Sequence, residues 1–100
     1  MAKVILQISY DVDPEKRAEY LELVKEMTTR FREIRRKNYT VFEQKGKKNS
    51  FVEQFICNSM EEYDALEDDL DEKSEELVNR LEAYLKNGKA KYVTLLEVDS

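Results

Sequence analysis

Phe51-Val52-Glu53-Gln54-Phe55-Ile56-Cys57 alternates apolar side chains onto both faces of one extended run, and Ser59-Met60-Glu61-Glu62 follows it at once with a helix start. In that tetrapeptide Ser59 and Glu62 can satisfy each other's orphan amides, the pairing known as a capping box. The helical pattern then extends from Met60 to about Lys86. Tyr63, Leu66, Leu70, Leu77, Leu81 and Tyr84 form its buried stripe, Ser74 occupies one stripe position, and Asn87-Gly88 provides a stop. Upstream of Phe51, Lys45-Gly46-Lys47-Lys48-Asn49 reads as a hairpin turn, because Gly46 tolerates positive φ and the lysines stay solvated. The turn joins Phe51–Cys57 to a preceding strand at Tyr39–Gln44.

The outer segments complete the pattern. Asp13 is placed to cap a first helix, with Pro14 in its first turn and Glu15 favouring the positive end of the dipole. This helix runs to about Lys37. Tyr20, Val24, Met27, Phe31 and Ile34 recur at helical spacing, and Leu21 and Leu23 widen the stripe. Arg30, Arg32, Arg35, Arg36 and Lys37 complement the carbonyls of its C-terminal end. Strands at Val4–Tyr10 and Tyr92–Val98 flank the whole. The order strand, helix, strand, strand, helix, strand predicts an α+β, ferredoxin-like βαββαβ domain spanning residues 1–100, with a four-stranded antiparallel sheet.

Two helices cover one face of such a sheet. Yet Val4, Leu6, Ile8 and Tyr10 lie opposite Ile5, Gln7 and Ser9. Phe51, Glu53, Phe55 and Cys57 lie opposite Val52, Gln54 and Ile56, and Tyr92, Thr94, Leu96 and Val98 lie opposite Val93, Leu95 and Glu97. A sheet with one wet face would show polar residues at every second position. Apolar residues on both faces predict a homodimer packed sheet to sheet. The competing reading is a monomer whose second face is semi-polar.

Composition excludes several function classes. A net charge of −5, from 17 basic and 22 acidic residues, argues against a nucleic-acid surface. The apolar stretch Val4–Ile8 is too short for a signal peptide or membrane span, so a cytoplasmic protein is expected. With no histidine there is no ordinary general base near neutral pH and no triad, and lone Cys57 excludes paired-cysteine metal sites. Two isolated glycines build no phosphate loop. Neither metal nor cofactor is expected.

Glu53 is the best candidate for chemistry, since it interrupts a strongly apolar strand. A carboxylate facing a dry pocket would act as a base or bind a polar ligand; one at a solvated rim, or paired with Lys or Arg, would not. Glu43 and Glu97 pose the same question in less apolar settings. Tyr20 and Tyr63, on the inner helix stripes, are candidate ligand-binding groups, with Asn38 and Arg35 near the pocket mouth; the alternative is that both tyrosines are core. Ten carboxylates fall among the sixteen positions Glu61–Glu76. They read either as the solvated face of an amphipathic helix, with Glu76–Arg80 and Glu82–Lys86 pairs along it, or as a surface for a divalent cation or a basic partner, the latter centred on Asp68, Asp69 and Asp71, although the stretch lacks the alternating ligands and glycine of an EF-hand loop.

Phe51-Val52-Glu53-Gln54-Phe55 with Asn58-Ser59-Met60-Glu61-Glu62-Tyr63-Asp64-Ala65 resembles the third strand and second helix of dimeric α+β barrel proteins, the antibiotic biosynthesis monooxygenase-like group among them. Arg35-Arg36-Lys37-Asn38-Tyr39-Thr40-Val41 is similar to that group's approach to its second strand. The resemblance implies a dimeric α+β barrel with a pocket between sheet and helices. It also implies a small aromatic or polyketide-like ligand, and in some members oxidation without a cofactor. Lys37 stands where a glycine is common in the group. A histidine is common near the start of the second helix, and this chain has none. Without histidine or tryptophan, haem degradation as that branch performs it is excluded. The alternatives to an oxygenase are a non-enzymatic ligand-binding or structural dimer, and a protein-interaction module using the acidic second helix.

Overall fold

The structure, a computed structural model, describes residues 2–68 and 71–98. Four strands, β1 (Val4–Asp11), β2 (Asn38–Glu43), β3 (Ser50–Cys57) and β4 (Lys91–Leu96), form one antiparallel sheet in the order β2-β3-β1-β4. One face is covered by α1 (Arg17–Thr28), α2 (Met60–Asp68) and α3 (Glu72–Tyr84). This is the expected βαββαβ architecture, with its second helix divided. No helix among the described residues is long and apolar enough to cross a membrane.

Local signals set most of the boundaries. Asp13 accepts the Glu15 amide at 3.0 Å, and a single tight turn, Pro14–Lys16, leads into α1. Ser59 Oγ accepts from the Glu62 amide at 3.1 Å, while the Glu62 carboxylate accepts from the amide of Asn58 rather than that of Ser59. The hairpin between β2 and β3 turns through Gly46 at φ 84° and Asn49 at φ 69°.

The expected continuous helix from Met60 to Lys86 is two helices. Asp71 is extended, and its Oδ1 accepts the Ser74 amide at 2.9 Å, so a fresh helix begins there. A short acidic side chain competes with the helical ladder for backbone amides, and here it caps instead. Asp69 and Leu70 lie outside the described residues, as do the side chains of Glu67 and Asp68. Arg80 pairs with Glu26 of α1 through two bonds of 3.0 and 2.7 Å, not with Glu76. It ties the two long helices together.

The end of the first helical segment also departs from expectation. After Thr28 the chain widens into a π-helical turn, Thr29–Ile34, and Lys37 then donates to the Phe31 carbonyl at 2.7 Å. The extra residue per turn rotates the apolar stripe. Phe31 stays buried while Ile34 is 58% exposed, and Leu21 also faces outward. Arg36, at φ 58°, makes the left-handed reversal into β2 without a glycine, at an intrinsic cost of about 1–2 kcal/mol.

Pairing fixes the faces as the alternation predicts. Leu6, Phe55 and Tyr39 share a row beneath the helices, and the next row is Tyr92, Ile8, Glu53 and Val41. Tyr20, Leu23, Met27, Tyr39 and Leu77 are fully buried between the layers. Four aromatic contacts, with centroids 4.4–5.4 Å apart, link Tyr20 to Phe51 and join Phe31, Tyr39 and Phe55. On the other face Ile5, Val52, Ile56 and Val93 are half-buried, and Phe42 and Leu95 are exposed. Gln7 donates to Gln54 across its centre at 3.0 Å.

The Asp71 cap makes a clear prediction. Asp71→Ala should lower Tm by about 5 °C, measured by circular dichroism at neutral pH. Hydrogen bonds from Ser74 and the Arg30 guanidinium hold the Asp71 carboxyl well below the usual range. Its contribution is therefore present at neutral pH and lost in acid, so the gap between variant and wild type should close as the pH falls.

Candidate functional site

The site is built around Glu53, in the middle of β3 and on the helix side of the sheet. Ile8 and Val41 flank it on the neighbouring strands, and it is 4% exposed. The Tyr39 hydroxyl donates to Oε1 at 2.8 Å, whereas Oε2 has no hydrogen-bond partner. Burial raises the Glu53 carboxyl above the usual range, while the phenols of Tyr39 and Tyr10 act in the opposite direction. Tyr10 and Tyr20 share a 2.7 Å hydrogen bond beside it. Burial, with the Glu53 charge behind it, pushes the phenols of Tyr10 and Tyr39 above their usual range; burial is also the main cause for Tyr20. None of the three phenols is an acid near neutral pH.

Glu53 lines a cavity of about 400 Å³ between the sheet and α3. Its walls are Leu6, Ile8, Phe31, Phe55, Leu81 and Tyr92, with Glu82 among the lining residues and solvent-exposed. A second cavity of about 360 Å³ adjoins it through Leu6 and Tyr92 and is lined by Tyr63, Leu66 and Thr94. The combination of an apolar hollow, one convergent polar group and a perturbed carboxyl is the usual form of a small-molecule site. A larger open cleft of about 540 Å³ lies at the hairpin end among Lys47, Lys89 and Lys91. Its buried polar residue, Ser50, is already bonded to Asp11, so no unsatisfied group points into it.

The other candidate residues fall in different places. Tyr63 lines the second cavity and shares a 2.7 Å hydrogen bond with Thr94 Oγ1. Tyr20 is fully buried, with its hydroxyl on Tyr10, and is a core residue one step removed from the cavity. Asn38 pairs with Ile56 in the sheet, which puts it on the opposite face from Glu53 and away from the pocket mouth. Arg35 reaches the Ser74 hydroxyl at 3.4 Å, between the π turn and α3.

The remaining carboxylates are engaged in holding the chain. Glu43 makes a two-pronged contact with Arg17 at 2.6 and 2.9 Å and accepts the Asn49 amide, which together hold its carboxyl down to about 2. Glu97 accepts the Lys3 amide at 2.8 Å. Asp71 serves Ser74 and Arg30. The acidic run is divided between α2 and α3, and Asp69 within it lies outside the described residues. Among the described residues no group of three His, Cys, Asp or Glu side chains converges as metal ligands.

Tyr39 and Tyr10 are the site residues that the sequence did not single out. Period-two alternation places Tyr10 with Leu6 and Ile8, but only strand register sets Tyr39 beside Phe55, within reach of Glu53. A tyrosine at the start of a strand carries no local sign that its hydroxyl will find a carboxylate fourteen residues away.

No protein-family model matches the chain, and no curated protein matches it. Solved structures do. Protein Rv0793 of Mycobacterium tuberculosis superposes with a TM-score of 0.77 at 15% identity, covering 98% of this chain and 97% of that one. SnoaB, a cofactor-independent oxygenase from Streptomyces nogalater, gives 0.76 at 12% identity over 98% and 95% of the two chains. An antibiotic biosynthesis monooxygenase gives 0.68 at 20% identity over 100% and 99%. Likeness at this identity speaks for the fold, and it agrees with the resemblance carried by the Phe51–Ala65 region: the chain has the ferredoxin-like fold of the antibiotic biosynthesis monooxygenase-like proteins.

Proposed function

We propose that the chain is a cytoplasmic small-molecule-binding protein that works as a homodimer and holds a small aromatic or polyketide-like ligand in the cavity beneath its helices. The observation that carries this reading is Glu53: a buried carboxylate with one oxygen unpartnered, on the wall of an otherwise apolar hollow. Leaving such an oxygen without a partner costs about 1–3 kcal/mol, more for a charged group. Apolar replacements of similar shape would be tolerated in that row, so the carboxylate favours ligand binding over packing. In the enzymatic form of this reading, Glu53 accepts the proton of the bound ligand, whose anion then reacts with oxygen as in a cofactor-independent oxygenase.

The dimer reading is supported by the outer sheet face. Four strands at a spacing of about 4.8 Å and about six residues at a rise of about 3.3 Å give a projected face of about 380 Å². An ordinary specific interface buries about 800 Å² per partner. The apolar side chains standing on this face, exposed Phe42 and Leu95 with half-buried Ile5, Val52, Ile56 and Val93, raise its accessible area above the flat projection.

Native mass spectrometry of the purified protein should show two 11.9 kDa chains together with the added mass of a small molecule. A bare monomer at micromolar concentration would sink the dimer. Ile56→Lys, on the outer face, should convert dimer to monomer in sedimentation velocity while leaving the circular dichroism spectrum unchanged.

Glu53 also sets a pH dependence. Because burial raises its carboxyl, the fold favours the protonated form, and that stabilisation is greatest in acid and lost as the pH rises through the raised value. Wild-type Tm should therefore slope downward from pH 5 to pH 8, and Glu53→Gln should flatten the slope. At about 4–8 °C for each kcal/mol, the difference is easily resolved. Parallel slopes for the two proteins would show that Glu53 does not titrate in this range.

A further inference from the structure

We propose that the ligand of this cavity carries a protonated amine on an apolar body, with its ammonium group donating to Oε2 of Glu53. The proposal rests on the ligand-binding reading above and specifies the chemistry of the head group.

Tyr39 occupies Oε1, so the carboxylate has one free acceptor, and the residue carrying it forms part of the cavity wall. Three aromatic rings, Phe31, Phe55 and Tyr92, line the same hollow. A carboxylate in a hollow lined by aromatic rings suits an ammonium group, because ring faces attract cations and repel anions. The charged residues agree. Of the cavity's lining residues only Glu53 and Glu82 carry formal charge, and both are acids. The titratable groups packed around Glu53 are Tyr10 of β1, Tyr20 of α1, Tyr39 of β2, Glu82 of α3 and Tyr92 of β4, none of them cationic.

A buried carboxylate with no countercharge is expensive, and a ligand cation offsets that cost where a neutral hydroxyl offsets only part of it. An anionic ligand would add a second negative charge at short range in a poorly screened site. The chain's net charge of −5 acts in the same direction, drawing cations toward the surface. The adjoining cavity beside Tyr63 and Leu66 gives the apolar body somewhere to extend.

The test is calorimetric titration of the wild-type dimer with four probes sharing one aromatic body: naphthylethylamine, naphthylethanol, acetonaphthone and naphthylacetate. The amine should bind about tenfold more tightly than the alcohol, as a charge-assisted hydrogen bond is about twice as strong as a neutral one. Naphthylacetate should bind most weakly. Glu53→Gln should bring the amine to within about twofold of the alcohol. If the alcohol or ketone matches the amine on wild-type protein, the proposal is overturned while the ligand-binding reading stands. The same holds if the amine keeps its advantage in Glu53→Gln, since its affinity then comes from general surface charge. If none of the four binds, both fall together.

Discussion

A four-stranded sheet has two faces, and the helices of this chain cover one. Nearly everything else follows from how the apolar residues are divided between them. On the helix side, Tyr39, Phe51, Phe55 and Tyr10 build a core wide enough to bury Tyr20 and Met27 completely. On the other side, Ile5, Ile56 and Leu95 flank a polar centre made by Gln7 and Gln54. The two amides bond each other there and break the continuity of the apolar face. The cover is also uneven on the helix side. It leaves Tyr92 and Leu96 of β4 exposed, and the cavities open along this thinly covered edge.

The π-helical turn at Thr29–Ile34 connects this arrangement to the site. One extra residue in the turn carries Phe31 over Tyr39 and Phe55, at centroid distances of 5.0 and 5.4 Å, and sends Ile34 outward. Arg32 then donates to the Tyr39 carbonyl at 3.1 Å and to Thr40, pinning the start of β2. Tyr39 is thereby held from both sides, by its backbone and by its ring, with its hydroxyl 2.8 Å from Glu53 Oε1. Single π turns within helices often mark functional positions. Here the turn sits over Tyr39, whose hydroxyl donates to Glu53.

The architecture was legible because its signals are local. Alternation in β1 and β3, the cap at Asp13, the serine at Ser59 and the glycine at Gly46 each act within a few residues, and each appears where it was expected. The break at Asp71 was also local but was masked, since an aspartate in an acidic run looks the same whether it caps a helix or faces water. The displacement of Ile34 could not be read, because a helical stripe assumes a constant period and the π turn changes it. Arg80 illustrates a third kind of limit. Its neighbour in sequence, Glu76, lies one turn away, but Glu26 of α1 offers two-pronged geometry, and a pairing across helices depends on how they pack. The same limit applied to the site: Glu53 was visible as an interruption, whereas its partner Tyr39 depended on register.

What distinguishes Glu53 from the other candidate carboxylates is one oxygen buried without a partner, whereas the others are paired at the surface. Glu43 has Arg17 and a backbone amide, Glu97 has the Lys3 amide, and Asp71 has Ser74 and Arg30. All of them are near the surface, where water would have served them adequately. Glu53 is the one placed where water is least available, and its Oε2 is buried without a hydrogen-bond partner. A chain selected for stability alone would have no reason to keep a carboxyl there, because a leucine or glutamine in the same row would bury more comfortably. The cavity beside Glu53 is where its missing partner would be found.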